Sequence, residues 1–239
     1  MNLFDFDTEE AEKPKEDPLV VIGEVSGNCK ACRLGQSTDK QNTGFIYSGP
    51  TTARIAVLGD MPQVQGTVLS RRLPLAGDFM QELGGWLGML GVAQEDVFVL
   101  NVMQCKTNKS KAKDAVLRDP FPEEIDVCFP GRALRVLRAL PDLEVVITLG
   151  WVAAGALLGR TPEPRLKSHE GAWFGTDYLS GVAVFCMDHV REYGKAADAR
   201  KRGRLRQHLD FFKSEYLKPE TAKIRKVLDI RQAERKVTN

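Results

Sequence analysis

The segment LEVVITLGWVAAGALLG, Leu143–Gly159, joins two apolar runs through one glycine. Its first part, Leu143 to Leu149, reads as a buried strand, and the residues from Trp151 to Leu158 read as a helix that follows at once. A strand that is apolar throughout and is succeeded directly by a helix is typical of a parallel sheet covered by helices on both faces.

The same alternation recurs outward from this segment. Asp78 to Leu90 has apolar residues at helical spacing, and Pro122 with two glutamates marks the start of another helix. We predict strands at Arg54–Leu58, ending in Gly59, at Val97–Leu100 and at Val182–Cys186, and helices at Asp78–Leu90, Pro122–Leu140 and roughly Tyr193–Leu217. The sequence thus predicts an α/β fold, a three-layer α/β/α sandwich with a central, mainly parallel four-stranded sheet.

Composition limits the class of protein. The chain has 239 residues, 43% hydrophobic and 28% charged, as expected of an ordinary globular chain. Its apolar runs are far shorter than the roughly 20 residues that span a bilayer, so we expect no membrane partner. The first residues lack the pattern of a secretory signal, which predicts a reducing, cytoplasmic location.

Charge is distributed unevenly although the net charge is only +2. Residues 1–17 carry seven acidic side chains and two lysines, whereas residues 191–239 carry fifteen basic and seven acidic ones. We therefore predict a flexible acidic segment at 1–17, a globular domain at 18–217 and a basic tail or helix at 218–239. The basic stretches Arg200–Arg206 and Lys106–Lys113 could follow a phosphate backbone, or they could be a solvated helix and loop.

Two of the five cysteines form the motif Cys29-x-x-Cys32. Such a pair serves as a redox dithiol, half of a zinc site or half of an iron–sulfur site. Cys105 and Cys128 both lie around the second predicted strand, so a cluster of these four cysteines is geometrically reasonable. The alternative is that Cys105 and Cys128 are buried thiols, as we expect for Cys186.

Ligands of parallel sheets bind beyond the carboxyl ends of the strands. In this sequence the rule selects Gly59–Gln63, Asn101–Cys105, Gly150 and Met187–His189. The polar side chains of this set include Asn101, Asp60 and His189. Taken singly, they could equally be a turn residue, a helix cap and a satisfied loop histidine.

These motifs, in this order, resemble the family 4 uracil-DNA glycosylases, the iron–sulfur branch of the uracil-DNA glycosylase superfamily. The resemblance spans about residues 27–212. It is carried by Cys29-x-x-Cys32-x-Leu34, Ile55–Gln63, Ser70–Gly77, Asn101–Thr107, Leu117–Cys128 and Val145–Gly159.

The resemblance implies that Cys29, Cys32, Cys105 and Cys128 hold a [4Fe-4S] cluster, although a four-cysteine zinc site has the same spacing. It also implies a monomeric enzyme that flips a pyrimidine out of single- or double-stranded DNA and cleaves its glycosidic bond. Asp60 and His189 would be catalytic. Base contacts would come from Gly59, Met61, Gln63, Leu73 and Asn101, and backbone contacts from Arg191, Lys109, Lys111 and Arg200.

Three positions depart from the family pattern. Leu73 replaces the phenylalanine that stacks on the base, Gln63 replaces a glycine, and Val190-Arg191 replaces Pro-Ser after the histidine. The aromatic platform would then have to come from Trp151, Trp173 or Phe174. Two alternatives follow: a glycosylase selective for a modified base, and a catalytically weak protein that binds DNA or a partner.

Overall fold

The centre of the fold is a sheet whose inner strands are buried along their whole length. The computed structural model describes residues 16–26, 29–36, 45–62, 74–75, 78–105, 107, 118–159, 169–193 and 198–216. Its strands are β1 (Tyr47–Ser48), β2 (Ile55–Gly59), β3 (Val97–Asn101), β4 (Val145–Leu149), β5 (Ala172–Gly175) and β6 (Ala183–Met187). They lie in the order β1-β3-β2-β4-β6-β5. Strands β3, β2, β4 and β6 are parallel, and the two edge strands are antiparallel to their neighbours.

The four parallel strands are those expected from the sequence, but the prediction of a four-stranded sheet is wrong. Two edge strands, β1 and β5, make it six-stranded. Strand β1 has only two residues, and every residue of β5 is half-buried, so neither forms the continuous apolar run that marks an inner strand.

Helices cover both faces of the sheet, which confirms the three-layer α/β/α arrangement. The helices are α1 (Pro18–Val25), α2 (Arg33–Gln36), α3 (Asp78–Leu90), α4 (Pro122–Cys128), α5 (Leu134–Ala139), α6 (Trp151–Leu157) and α7 (Ala199–Tyr216). One apolar core joins the sheet to α1, α4, α5 and α6. The second core joins its other face to α3 and α7.

The predicted helix Pro122–Leu140 forms, with one irregularity. A π-helical turn, Phe129–Ala133, separates α4 from α5. Pro130 lies inside this turn. Because proline has no N–H and its ring crowds the preceding turn, a regular α-helix cannot continue through it.

The last helix begins later than predicted. Residues Val190–Tyr193 form a separate 3-10 turn, and α7 starts at Ala199. Asp198 sets this start, since its side chain accepts a hydrogen bond from the Lys201 N–H at 2.8 Å.

The predicted domain limits stay a prediction, because most of residues 1–17 and all of 218–239 lie outside the described residues. Within the described ranges, no helix combines the length and the apolar character needed to cross a membrane.

Candidate active site

The carboxyl ends of the inner strands are joined to one another by backbone hydrogen bonds. The Val102 and Met103 N–H groups donate to the carbonyls of Gly59 and Asp60, both at 2.9 Å. On the other side, the Gly150 N–H donates to the Met187 carbonyl at 2.9 Å. The polar residues that follow these strands are therefore held at one edge of the sheet.

Asp60 and His189 meet at Gly150. Both side chains belong to buried residues, 7% and 3% exposed. A Cβ atom placed on Gly150 would lie 3.4 Å from each carboxylate oxygen of Asp60 and 3.4 Å from the Cβ of His189. The Asp60 carboxylate also accepts the Ala153 N–H, at 3.3 Å, from the first turn of α6. Because Gly150 has no side chain, the Asp60 carboxylate and the Cβ of His189 both fit against it.

Asn101 is fully buried at the end of β3, opposite Gly59 of β2. Its Nδ2 donates to the Pro74 carbonyl at 2.6 Å, whereas its Oδ1 has no hydrogen-bond partner among the described residues. Because only an amide N–H can donate to a carbonyl, this contact fixes which end of the amide is which. A buried acceptor without a donor is costly, so a ligand donor at this point would be favoured.

Gly59 gives Asn101 its space. A Cβ on Gly59 would lie 2.5 Å from Asn101 Oδ1 and 3.2 Å from Leu75 Cδ2. The glycine that ends β2 is therefore required by the asparagine beside it.

An aromatic ring and a carboxylate fix the surroundings of His189. Phe79, in the first turn of α3, meets the imidazole edge-to-face at 5.7 Å between ring centroids. The backbone N–H of His189 donates to Asp188 Oδ1 at 2.9 Å.

Three of the cysteines affect the pKa of the fourth, Cys105. Burial, followed by the neighbouring Cys128 and Cys32 thiols, raises the pKa of Cys105 to about 12, and Cys29 adds to the effect. Burial likewise raises the pKa of Cys128 to about 11, opposed by a hydrogen bond from the Gln104 N–H. In the described part of the chain, no three or more His, Cys, Asp or Glu side chains are arranged as a metal site. The iron–sulfur cluster therefore stays a prediction.

Glu124 joins α4, which ends in Cys128, to Arg33 beside Cys32 and to Arg118. Arg118 contacts its carboxylate with two N–H groups, at 2.8 and 2.6 Å, and Arg33, next to Cys32, donates at 3.1 Å. The Phe121 N–H adds a further bond at 2.9 Å. Burial pushes the pKa of Glu124 upward, but these hydrogen bonds outweigh it and hold the pKa below its ordinary value.

The structure places some of the other predicted site residues. Met61 is buried, and its sulfur accepts the Thr107 hydroxyl hydrogen at 2.9 Å. Arg200 is exposed in the first turn of α7. Gln63, Leu73, Lys109, Lys111 and the side chain of Arg191 lie outside the described residues, so their roles stay predictions.

Two neighbours of the site were given no role by the sequence analysis, although the strand-end rule selected Gly150. Gly150 has φ +90°, and the sequence signal for it is a glycine between a strand and a helix. Phe79 was predicted only as part of an apolar helix face. Of the aromatic residues proposed to replace the missing ring, Trp151 directly follows Gly150, whereas Trp173 stacks on Phe212 in the core.

A separate cleft lies at the opposite edge of the sheet. Its volume is about 360 Å³, and it is lined by Arg54, Asp142, Glu144 and three neighbours. Because it adjoins the amino ends of β2 and β4, it is unconnected with Asp60, Asn101 and His189.

An α/β sheet with a carboxylate, an imidazole and an asparagine at its carboxyl edge defines an enzyme-like α/β protein with a polar ligand site. The family model described as the uracil DNA glycosylase superfamily matches residues 46–213. The chain belongs to this superfamily, as the motifs predicted.

Individual relatives are distant. A type-4 uracil-DNA glycosylase of Pyrobaculum aerophilum is 27% identical over 200 residues, which cover 81% of this chain and 92% of that protein. A type-4 uracil-DNA glycosylase of Archaeoglobus fulgidus is 28% identical over 130 residues, 53% of this chain and 57% of that protein. An NMR structure of a candidate uracil DNA glycosylase from Methanosarcina acetivorans covers 72% of this chain and 97% of its own, with 16% identity and a TM-score of 0.38.

Proposed function

We propose that this chain is a DNA glycosylase that turns a uracil out of DNA and hydrolyses the bond between the base and deoxyribose. One observation carries the proposal. A fully buried asparagine at a strand end holds an acceptor without a partner in the described part of the chain, next to the point where a carboxylate and a histidine converge. Superfamily membership and the type-4 relatives support the same activity.

Asn101 accounts for the choice of base. Its Oδ1 can accept the N3–H of uracil, and the second N–H of its Nδ2 can donate to the oxygen at position 4. Cytosine has an acceptor at N3 and a donor at position 4. Its acceptor would therefore face Oδ1 and its donor would face Nδ2, and neither pair can form a hydrogen bond. The hydrogen bond to the Pro74 carbonyl supports this preference, because it holds the amide in the orientation that uracil requires.

Asp60 and His189 account for bond cleavage. As the glycosidic bond breaks, its electron pair moves to the base and positive charge develops on the sugar. The Asp60 carboxylate would stabilise this cation and position the attacking water, and His189 would donate a hydrogen bond to the base oxygen that becomes negative. Both residues flank Gly150, since a Cβ placed there would lie 3.4 Å from each of them.

Cys29, Cys32, Cys105 and Cys128 would hold the [4Fe-4S] cluster. Thiolates are the ligands that iron–sulfur clusters use, and Cys29, Cys32 and Cys128 all act on the pKa of Cys105; the hydrogen bond from the Gln104 N–H to Cys128 would stabilise a thiolate ligand. The cluster would join the loop before α2 to α4 and so support the nearby site. A zinc ion would suit the same thiols, and metal analysis decides between them.

DNA would bind along the carboxyl edge of the sheet. The segment that carries Lys109 and Lys111 begins at Thr107, beside Met61, and ends at Arg118, whose N–H returns to the Thr107 carbonyl at 2.8 Å. Arg200 stands in the first turn of α7, where the helix dipole disfavours a cation. A phosphate would compensate that cost.

The test is a base-release assay on matched oligonucleotides containing uracil, hydroxymethyluracil, hypoxanthine or a modified cytosine. We expect abasic sites at uracil, and a roughly 100-fold or larger loss of rate in Asp60→Asn and His189→Ala. Asp142→Asn, an exposed carboxylate at the opposite edge, is the matched control and should keep the wild-type rate.

Release only at another base would show that the site has a different specificity. Salt-sensitive DNA binding without release of any base would instead identify a binding protein.

A further inference from the structure

A buried polar cluster lies behind the loop that carries His189. The Tyr193 hydroxyl donates to Glu170 Oε1, and His208 Nδ1 lies 3.5 Å from the same oxygen. Arg204 is 4.0 Å from the other oxygen. Tyr193 is 3% exposed and the Glu170 side chain 11%. None of these groups has a part in the chemistry assigned to Asp60, Asn101 and His189.

Tyr193 ends the turn that begins directly after His189. The Glu192 N–H closes this turn on the His189 carbonyl at 2.9 Å, and Val190 is fully buried beneath it. The ring of Tyr193 meets Trp86 of α3 edge-to-face, at 5.3 Å and 77°. Valine, unlike proline, does not restrict its own φ angle. The position of the turn therefore depends on these contacts.

The backbone next to Glu170 is fixed, because Gly171 is hydrogen-bonded to β6, the strand that leads to His189. The Gly171 N–H donates to the Cys186 carbonyl of β6 at 2.7 Å. Glu170 lies just before β5 in the chain, and Tyr193 lies just after β6. Their hydrogen bond thus links the segments that precede and follow these two paired strands. The bond spans the loop in which His189 lies.

We propose that Tyr193, fixed by Glu170, is a positioning residue that holds His189 at the angle needed to donate to the base. This inference rests on the proposed function, since it requires His189 to act on a base. Tyr193 itself touches neither the base nor the sugar in this account.

The test is Tyr193→Phe, which deletes one hydroxyl and keeps the ring that packs on Trp86. We expect the single-turnover rate of uracil release to fall roughly 10- to 100-fold while the Kd for DNA stays within about twofold, because misplacing a catalytic group mainly affects the chemical step. Glu170→Gln keeps an oxygen that can accept from the hydroxyl and should retain more activity than Glu170→Ala.

Tyr216→Phe is the matched control. It removes a hydroxyl that donates to Glu144 at 2.7 Å at the opposite edge of the sheet, so its rate should equal that of the wild type.

A double-mutant cycle separates positioning from general damage. In a His189→Ala background, Tyr193→Phe should cost almost nothing further, since there is no imidazole left to position. An equal loss in both backgrounds, or a wild-type rate in Tyr193→Phe, would overturn the inference.

An NMR measurement tests the inference without activity. The chain has three histidines, so their imidazole signals can be assigned by single substitutions. The His189 ring lies edge-on to Phe79, so its proton shifts report its orientation. They should move in Tyr193→Phe and stay unchanged in Tyr216→Phe; unchanged His189 signals in Tyr193→Phe would refute the positioning role. Wild-type protein that releases no base would refute the proposed function and, with it, any positioning role in catalysis.

Discussion

Replacing Gly59 by alanine tests whether Asn101 reads the base. The new Cβ would lie 2.5 Å from Asn101 Oδ1, whereas non-bonded heavy atoms are most stable about 3.5–4.0 Å apart. Oδ1 must therefore retreat by roughly 1 Å. Gly59 is not among the glycines with positive φ, so alanine adds no backbone strain and the effect is steric alone.

The magnitude follows from the environment of the asparagine. Asn101 is fully buried and bonded to Pro74, so its retreat disturbs that hydrogen bond and costs about 1–3 kcal/mol of stability. For a chain of this size, each kcal/mol lowers Tm by about 2–4 °C. Displacing a base-contacting group by about 1 Å should lower the rate of uracil release roughly 100-fold.

The assay compares single-turnover uracil release and thermal unfolding of Gly59→Ala with those of Gly85→Ala. Gly85 is exposed in α3, and a Cβ there meets nothing within 4 Å. We expect Gly85→Ala to keep the wild-type rate and to gain about 0.5–1 kcal/mol of stability. A folded Gly59→Ala that releases uracil at the wild-type rate would refute the role of Asn101.

Three further predictions concern the site and its supports. Gly150→Ala should lose about 1–3 kcal/mol from backbone strain and also lose activity, whereas Gly181→Ala, which shares a positive φ but has open space around it, should unfold more easily and keep its rate. Glu124→Gln should lower stability by about 1–3 kcal/mol at pH 7. The pKa of Glu124 is lower in the folded protein than in the unfolded chain. The stability that its carboxylate contributes is therefore present above the unfolded pKa of about 4.3 and is lost as the pH falls through the folded pKa. Thermal unfolding should accordingly show a smaller difference between Glu124→Gln and the wild type at pH 4 than at pH 7. Cys105→Ala should lose iron and acid-labile sulfide, whereas Cys186→Ala should keep both; equal metal content in the two variants would contradict the assigned ligands.

Strands β2, β3, β4 and β6 were predictable because each is an almost entirely apolar run. Such a run reports burial on both faces, which only an inner strand experiences. Strands β1 and β5 escaped prediction because pairing with a neighbour, rather than burial, defines an edge strand. The π-helical turn had a visible cause, Pro130, but the sequence does not show whether a helix ends there or continues past it.

The positions of the candidate site residues were predictable from the rule that ligands lie beyond strand ends, which placed Asp60, Asn101 and His189 at one edge. The rule says nothing of distances. Two features of the site depend on packing between segments far apart in the chain. Gly150 has φ +90° and lies beside both Asp60 and His189, and only one polar atom of the Asn101 side chain has a hydrogen-bond partner among the described residues. No periodicity in the sequence indicates the hydrogen bond between Glu170 and Tyr193.

The release of free uracil under single-turnover conditions tests the proposed glycosylase activity most directly. A single-stranded oligonucleotide with one uracil would be incubated with the wild type, Asp60→Asn and Asn101→Ala, and the free base would be quantified by mass spectrometry. We predict stoichiometric release by the wild type and a loss of roughly 100-fold in both variants, with DNA binding retained. An intact strand after prolonged incubation with wild-type protein, or equal release by all three, would contradict it.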